Sequence, residues 1–65
     1  MMRYEKYKKT RFWAVYNETN ELVSICVYKR GAIAIITLIL ELQGYSKERI
    51  AEVLLSVENA YKAAI

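Results

Sequence analysis

The apolar and polar positions of the chain change period from its first half to its second. Two runs rich in aromatic and β-branched residues, Phe12–Tyr16 and Leu22–Tyr28, flank the polar stretch Asn17-Glu18-Thr19-Asn20-Glu21. Runs of this kind around turn formers predict a β-hairpin over 11–28. The connection fits a type I turn closed by a left-handed residue, and Asn20 takes that place because asparagine tolerates positive φ best after glycine. That register sets Tyr16 opposite Leu22, Val15 opposite Val23, Trp13 opposite Ile25 and Phe12 opposite Cys26. Alternation along the strands then gives one face of Trp13, Val15, Val23, Ile25 and Val27, the expected core. The second face carries Phe12, Ala14, Tyr16, Leu22, Ser24, Cys26 and Tyr28. It too is largely apolar, which calls for cover that a chain this short supplies poorly.

Beyond the hairpin the period lengthens. Ile33, Ile35, Ile36 and Ile39 are β-branched, so a third strand over 32–40 is conceivable. A helix over 31–43 is the better reading for three reasons. The run of about twelve residues is long for a strand. It ends in the helix formers Leu40-Glu41-Leu42, and Gly44 stands where a glycine cap belongs. Such a helix is apolar on every side except at Thr37 and is expected to be buried all round. The last segment, 46–63, reads as an amphipathic helix. Ser46 is its N-cap and Tyr45 a staple onto Ile50. Ile50, Val53, Leu54, Val57, Tyr61 and Ala64 form its apolar stripe, while Leu55 points outward among Glu48, Glu52, Asn59 and Lys62.

The fold expected from this pattern is α+β, a β-hairpin followed by two helices (ββαα) in one small domain. Size and composition add a partner to it. A chain of 65 residues that is 55% hydrophobic buries only about 60% of its unfolded surface. A single cysteine and no histidine leave neither an intrachain disulfide nor a structural zinc site to compensate. Self-association is the remaining route, so a homodimer is expected. The interface residues expected for it, or for another protein partner, are Phe12, Tyr16, Leu22 and Tyr28 on the second sheet face, Ile36 on the central helix, and Leu55.

Charge is uneven. Residues 1–11 hold Arg3, Lys6, Lys8, Lys9 and Arg11 against Glu5, a net of +4, and the rest of the chain sums to −1. This stretch reads as a basic arm or as an extension of the first strand. Its cations alternate with Tyr4 and Tyr7 and run into Phe12 and Trp13, which supplies phosphate contacts together with rings for stacking. With Lys29 and Arg30 they make a candidate nucleic-acid contact set.

The available chemistry mostly excludes. Without histidine or aspartate there is no serine or cysteine nucleophile system of the usual kind and no carboxylate–histidine metal cluster. Gly31 and Gly44 are too far apart for a phosphate-binding loop. Of the seven glutamates, Glu18 and Glu21 fall in the turn and Glu48, Glu52 and Glu58 on the outer face of the last helix, and all seven read as solvated surface carboxylates. No enzyme, cofactor, metal or small-molecule substrate is expected. The apolar run Phe12–Tyr16 falls short of the roughly 7–15 residues of a signal-peptide core, and Gly31–Leu40 falls short of the roughly 20 of a membrane span. The default location is therefore the cytoplasm.

Two segments resemble DNA-binding families. Leu42-Gln43-Gly44-Tyr45-Ser46-Lys47-Glu48-Arg49-Ile50-Ala51-Glu52-Val53-Leu54 resembles the first half of a helix-turn-helix of the sigma-factor kind. Leu55-Ser56-Val57 stands where that motif has its turn glycine, and the apolar stripe runs on through it, which favours one continuous helix. The order strand, helix, Gly-Tyr-Ser, helix over 22–63 resembles a ribbon-helix-helix repressor, whose strand reads the major groove. Here that strand has a hairpin partner in its own chain and only Lys29 and Arg30 as basic candidates. Both likenesses are read as shared helix punctuation.

Overall fold

The structure, a computed structural model, describes residues 2–64. Three strands precede two helices: β1 (Arg3–Lys6), β2 (Trp13–Tyr16), β3 (Leu22–Cys26), α1 (Lys29–Leu42) and α2 (Lys47–Ala64). The strands form one antiparallel sheet in the order β1-β2-β3. The helices pack against one face of it, α1 on β2 and β3 and α2 on β1.

The α+β reading and both helices stand, but the sheet has a strand more than the hairpin. The basic stretch is neither an arm nor an extension of β2; it folds back as the separate strand β1. Tyr4 explains why so polar a segment is held. Its side chain is 2% exposed. Its ring meets Trp13 edge-on at 5.8 Å and Tyr61 at 5.5 Å, so one buried aromatic anchors three charged neighbours. The chain reverses through 7–12 without glycine, asparagine or proline. Lys8 takes the left-handed conformation at φ 53°. Tyr7 N donates to Phe12 O at 2.8 Å. Thr10 Oγ1 donates to Tyr7 O at 2.7 Å and accepts from Phe12 N at 3.2 Å.

The second turn forms as its sequence dictates. Asn20 has φ 65°, and Asn20 N donates to Asn17 O while Asn17 N donates to Glu21 O, both at 3.0 Å. Asn17 Oδ1 accepts from the amides of Thr19 and Glu21, each at 3.0 Å. Tyr16 pairs with Leu22 as expected, but the register then slips, and Val15 pairs with Ser24, Ala14 with Ile25 and Trp13 with Cys26. Val23 is the extra residue of a β-bulge, and a one-residue slip exchanges the faces of everything beyond it. The expected core face of β3 is therefore inverted. Ser24 and Cys26 turn inward, whereas Val23, Ile25 and Val27 are 41%, 45% and 55% exposed.

The segment 32–40 is helical. The buried side chains of α1 are Ala32, Ile36 and Leu40. They join Met2, Tyr4, Val15, Ile50 and Val57 in the core. The helix is not buried all round: Ala34, Leu38 and Leu42 are exposed. One sheet face and one companion helix cover only the near side of a cylinder, and the chain has no further layer. α1 ends in a Schellman motif, with Gly44 N donating to Glu41 O at 3.0 Å and Tyr45 N to Leu40 O at 3.1 Å. Gly44 sits at φ +88° with no atom near an added Cβ, so its substitution tests the backbone alone. Gly44→Ala is expected to lower unfolding free energy by about 1 kcal/mol, read as a shifted urea midpoint at unchanged slope.

Ser46 caps α2 by accepting from Arg49 N at 3.2 Å. The helix continues through Leu55-Ser56-Val57 to Ala64 without a turn. Ile50 and Val57 are buried, and Val53, Leu54 and Tyr61 pack partly against the core. Ala64, at the end of the expected stripe, is exposed. Among the described residues no helix is long and apolar enough to cross a membrane.

Candidate functional site

The strand register decides which basic residues come together. Lys6, Trp13 and Cys26 form the last row of the sheet. The 7–12 turn leaves from that end, and α1 begins there three residues after Cys26. Lys6, Lys8, Lys9 and Arg11 are thereby gathered with Lys29 and Arg30 at one pole of the molecule. Arg3 is not part of it. It sits in the opposite row with Tyr16 and Leu22, bridges to Glu5 at 3.0 Å and lies 4.2 Å from the Tyr16 ring centroid. Aromatic rings accompany the cations of the pole, with Lys6 4.5 Å from the Trp13 ring. Lys8 stands 5.3 Å from the Tyr7 ring, Arg11 5.9 Å from Phe12 and Arg30 5.3 Å from Tyr28. The first turn of α1 holds no acid, and Tyr28 at its N-cap makes no side-chain capping bond, so the positive end of the helix dipole adds to the same field.

Lys29 has a different task. Its Nζ donates to Glu58 Oε1 at 3.1 Å. It also stands 5.6, 5.9 and 5.8 Å from the ring centroids of Tyr4, Trp13 and Tyr61. Those rings pack on one another, Trp13 and Tyr61 at 5.4 Å, and so an ammonium group ties β1, β2 and α2 to the start of α1. The hydrogen bond to Glu58 raises the Lys29 pKa above its ordinary value. The reciprocal bond lowers the Glu58 carboxyl. Burial raises the Tyr4 phenol, with the charge of Lys29 opposing. The Tyr4 hydroxyl is buried without a hydrogen-bond partner among the described residues.

The pH consequences follow by sign. A lowered carboxyl stabilises the fold above 4.5, its unfolded value, and that contribution is lost as pH falls through the folded value. A raised ammonium stabilises below 10.5, and the contribution is lost as pH rises through the folded value. A raised phenol likewise costs stability once pH passes 10.0, because the unfolded chain then releases the proton first. Melting temperature is expected to fall on both sides of this window. Tyr4→Phe removes a buried hydroxyl engaged at most weakly, by Lys29, and is expected to change stability at neutral pH by less than about 1 kcal/mol. It also shrinks the alkaline loss, and thermal melts from neutral pH to above 10.5 check both effects.

The apolar surface divides in two. Leu22, Val23, Ile25 and Val27 are exposed along β3, which is an edge strand with no charged residue. At the opposite edge β1 carries Arg3, Glu5 and Lys6 in four residues. Leu55 lies elsewhere, with Tyr4, Ile33, Ala51, Leu54 and Glu58 around a groove of about 340 Å³ between the helices. Ile36, expected at an interface, is fully buried in the chain's own core and faces no partner. Tyr16 is partly covered and its ring is occupied by Arg3. Phe12 and Tyr28 are exposed, but at the basic pole. Cys26 is free and half-buried, facing the core beside Gly31, whose added Cβ would meet its Cβ at 3.4 Å.

Sequence reasoning placed Tyr61 in the stripe of α2, Tyr4 among the stacking rings and Glu58 on the solvated outer face; that the three meet at the Lys29 node it did not see. The spacing of Tyr61 in the stripe of α2 was the available signal for its inward direction. Nothing local marks Glu58, 29 positions from Lys29. Among the described residues no group of three or more cysteine or glutamate side chains is placed to hold a metal ion. The chain matches no family model, no curated protein and no solved structure.

Proposed function

We propose that the chain is a small non-catalytic interaction module that works as a homodimer joined along β3. The contrast between the two sheet edges carries this reading. Exposed edges invite pairing with another chain, and proteins that must stay single blunt them with charge, proline or bulges. β1 is blunted by three charges in four residues. β3 offers Leu22, Val23, Ser24, Ile25 and Cys26, and its only interruption is the bulge at Val23. The regular stretch that remains is centred on Ile25, whose side chain is 45% exposed.

An antiparallel copy of the same strand satisfies that edge. A two-fold axis at Ile25 pairs the free amides and carbonyls of each β3 with those of the other and continues the sheet from three strands to six. Such an interface is isologous, each patch being its own complement. Since α1 packs beneath β2 and β3, the two α1 helices become neighbours under the joined strands. The exposed Leu38 of α1 then lies near the new seam.

Light scattering after size exclusion, at high micromolar concentration, tests the reading. A mass twice the 7.6 kDa of the chain supports it. A mass equal to that of the single chain across the concentration range overturns it.

A further inference from the structure

We propose that the basic pole, made of the 7–12 turn and the start of α1, binds single-stranded nucleic acid. Phosphates lie against Lys8, Lys9, Arg11 and Arg30, and bases stack on the exposed rings among them. Strand pairing about Ile25 sets residue 22 of one copy opposite residue 28 of the other, so Tyr28, 64% exposed in the single chain, stands at the rim of the proposed dimer, while the 7–12 turn lies outside it.

Three observations carry it. The first is the density of unpaired cations. Of the six basic residues at the pole only Lys29 is in a salt bridge among the described residues. A run of uncompensated lysine and arginine at one end is the electrostatic footprint of a phosphate-binding surface. The second is the placing of the rings. Tyr28 is 64% exposed and Phe12 36%, and each has a guanidinium beside its ring. A splayed base can pack on such a ring with its phosphate within reach of the neighbouring cation, which is how sequence-tolerant single-strand sites are built. The third is the space beside the turn. An open recess of about 450 Å³ along β1 joins Lys6 and Lys8 to the rings of Tyr16 and Tyr61, with Glu5 and Ala64 closing it. The Tyr16 ring in it is already held by Arg3 and Tyr61 by Tyr4 and Trp13, so the recess adds room for backbone beside Lys6 and Lys8 rather than a further stacking ring.

A duplex fits less well. The first turn of α1 is packed against Trp13 and Glu58 through Lys29, so that helix is not free to enter a groove. An anionic membrane fits less well too. It would draw on the same cations, but it has no base to stack on the exposed Tyr28 and Phe12, each of which has a guanidinium beside its ring.

Fluorescence anisotropy of the full chain with a labelled, mixed-sequence DNA oligonucleotide of about twelve nucleotides tests the proposal. With about four phosphate contacts the affinity is expected to weaken roughly 50-fold between about 50 and 200 mM salt. The double variant Lys9→Gln/Arg11→Gln is expected to lower the magnitude of the logarithmic salt slope by about 1.4. Tyr28→Ala is expected to weaken binding about tenfold at every salt concentration, as loss of one stacked base does. Lys47→Gln/Arg49→Gln removes the same charge from the start of α2 and leaves affinity within about twofold if phosphates lie at the pole alone. Absence of binding at about 50 mM salt overturns the proposal. So does an equal loss from the two double variants, or binding that Tyr28→Ala does not change. Binding to vesicles containing phosphatidylserine without binding to the oligonucleotide assigns the pole to a membrane surface and overturns it as well.

Discussion

Ile25→Lys is expected to abolish the proposed dimer while leaving the fold intact. A two-fold axis at this position brings residue 25 of each copy close to its mate, so the variant sets two ammonium groups against each other where two isoleucines stood. Like-charge juxtaposition across an interface costs several kcal/mol. A penalty of about 3 kcal/mol alone weakens association by roughly 150-fold. The fold tolerates the change because Ile25 is 45% exposed and belongs to no core cluster. The methylene stem of a lysine can still lie over its sheet neighbour Ala14. Far-ultraviolet circular dichroism should therefore be unchanged while the mass by light scattering halves. Glu5→Lys, on the β1 edge, makes a similar change outside the proposed interface and should leave the mass as it was. A variant that still dimerises would remove β3 from the interface.

Ile36→Ala is expected to unfold the protein rather than merely weaken it. Ile36 is fully buried in the middle of α1, in the cluster that joins Val15 and Tyr4 of the sheet to Ile50 and Val57 of α2. Truncating a buried isoleucine costs about 2–5 kcal/mol, the transfer of the lost methyls plus the cavity they leave. A domain of this length has about 3–10 kcal/mol in total. The core has few other large side chains to collapse into the gap, which places the cost toward the upper end. Leu38→Ala, two positions along the same helix but 54% exposed, is the control and should cost the monomer about 0.5 kcal/mol or less. Urea titrations of both variants beside the parent chain, at a concentration too low for association, check the difference.

What the chain reveals before folding depends on whether the signal is local. The 17–21 turn was legible because Asn17 and Asn20 each carry their own turn chemistry. The cap of α1 was legible because Gly44 stands alone after a helical run, and α2 because its stripe repeats for five turns. β1 was not, since three charged residues around one tyrosine look like a tail until Trp13 and Tyr61 are there to receive the ring. Nor was the 7–12 turn, where Lys8 adopts positive φ without the residue types that advertise it. The faces of β3 were misassigned for a reason no alternation pattern contains: one bulged residue, Val23, turned the apolar set outward and the polar set inward. Of the candidate site residues, the basic ones were visible in the sequence as a cluster of cations, but not their arrangement. Only the register of β1 with β2 and the exit of α1 from β3 could say that six of them share a pole, that Arg3 stands apart and that Lys29 is already engaged.

The unequal edges of the sheet also fix how far any assembly can grow. In the language of polymer chemistry, a strand edge is a reactive end, and a sheet with two usable ends is a bifunctional monomer that propagates without limit. Here one end is terminated within the chain itself, by Arg3, Glu5 and Lys6. Each folded copy therefore has a valence of one. Joining two of them consumes both reactive ends and presents only stopped ones, so added protein raises the number of pairs and not their length. On the proposed pairing the charged residues of β1 would act as chain stoppers, ending growth at the pair although β3 is so apolar.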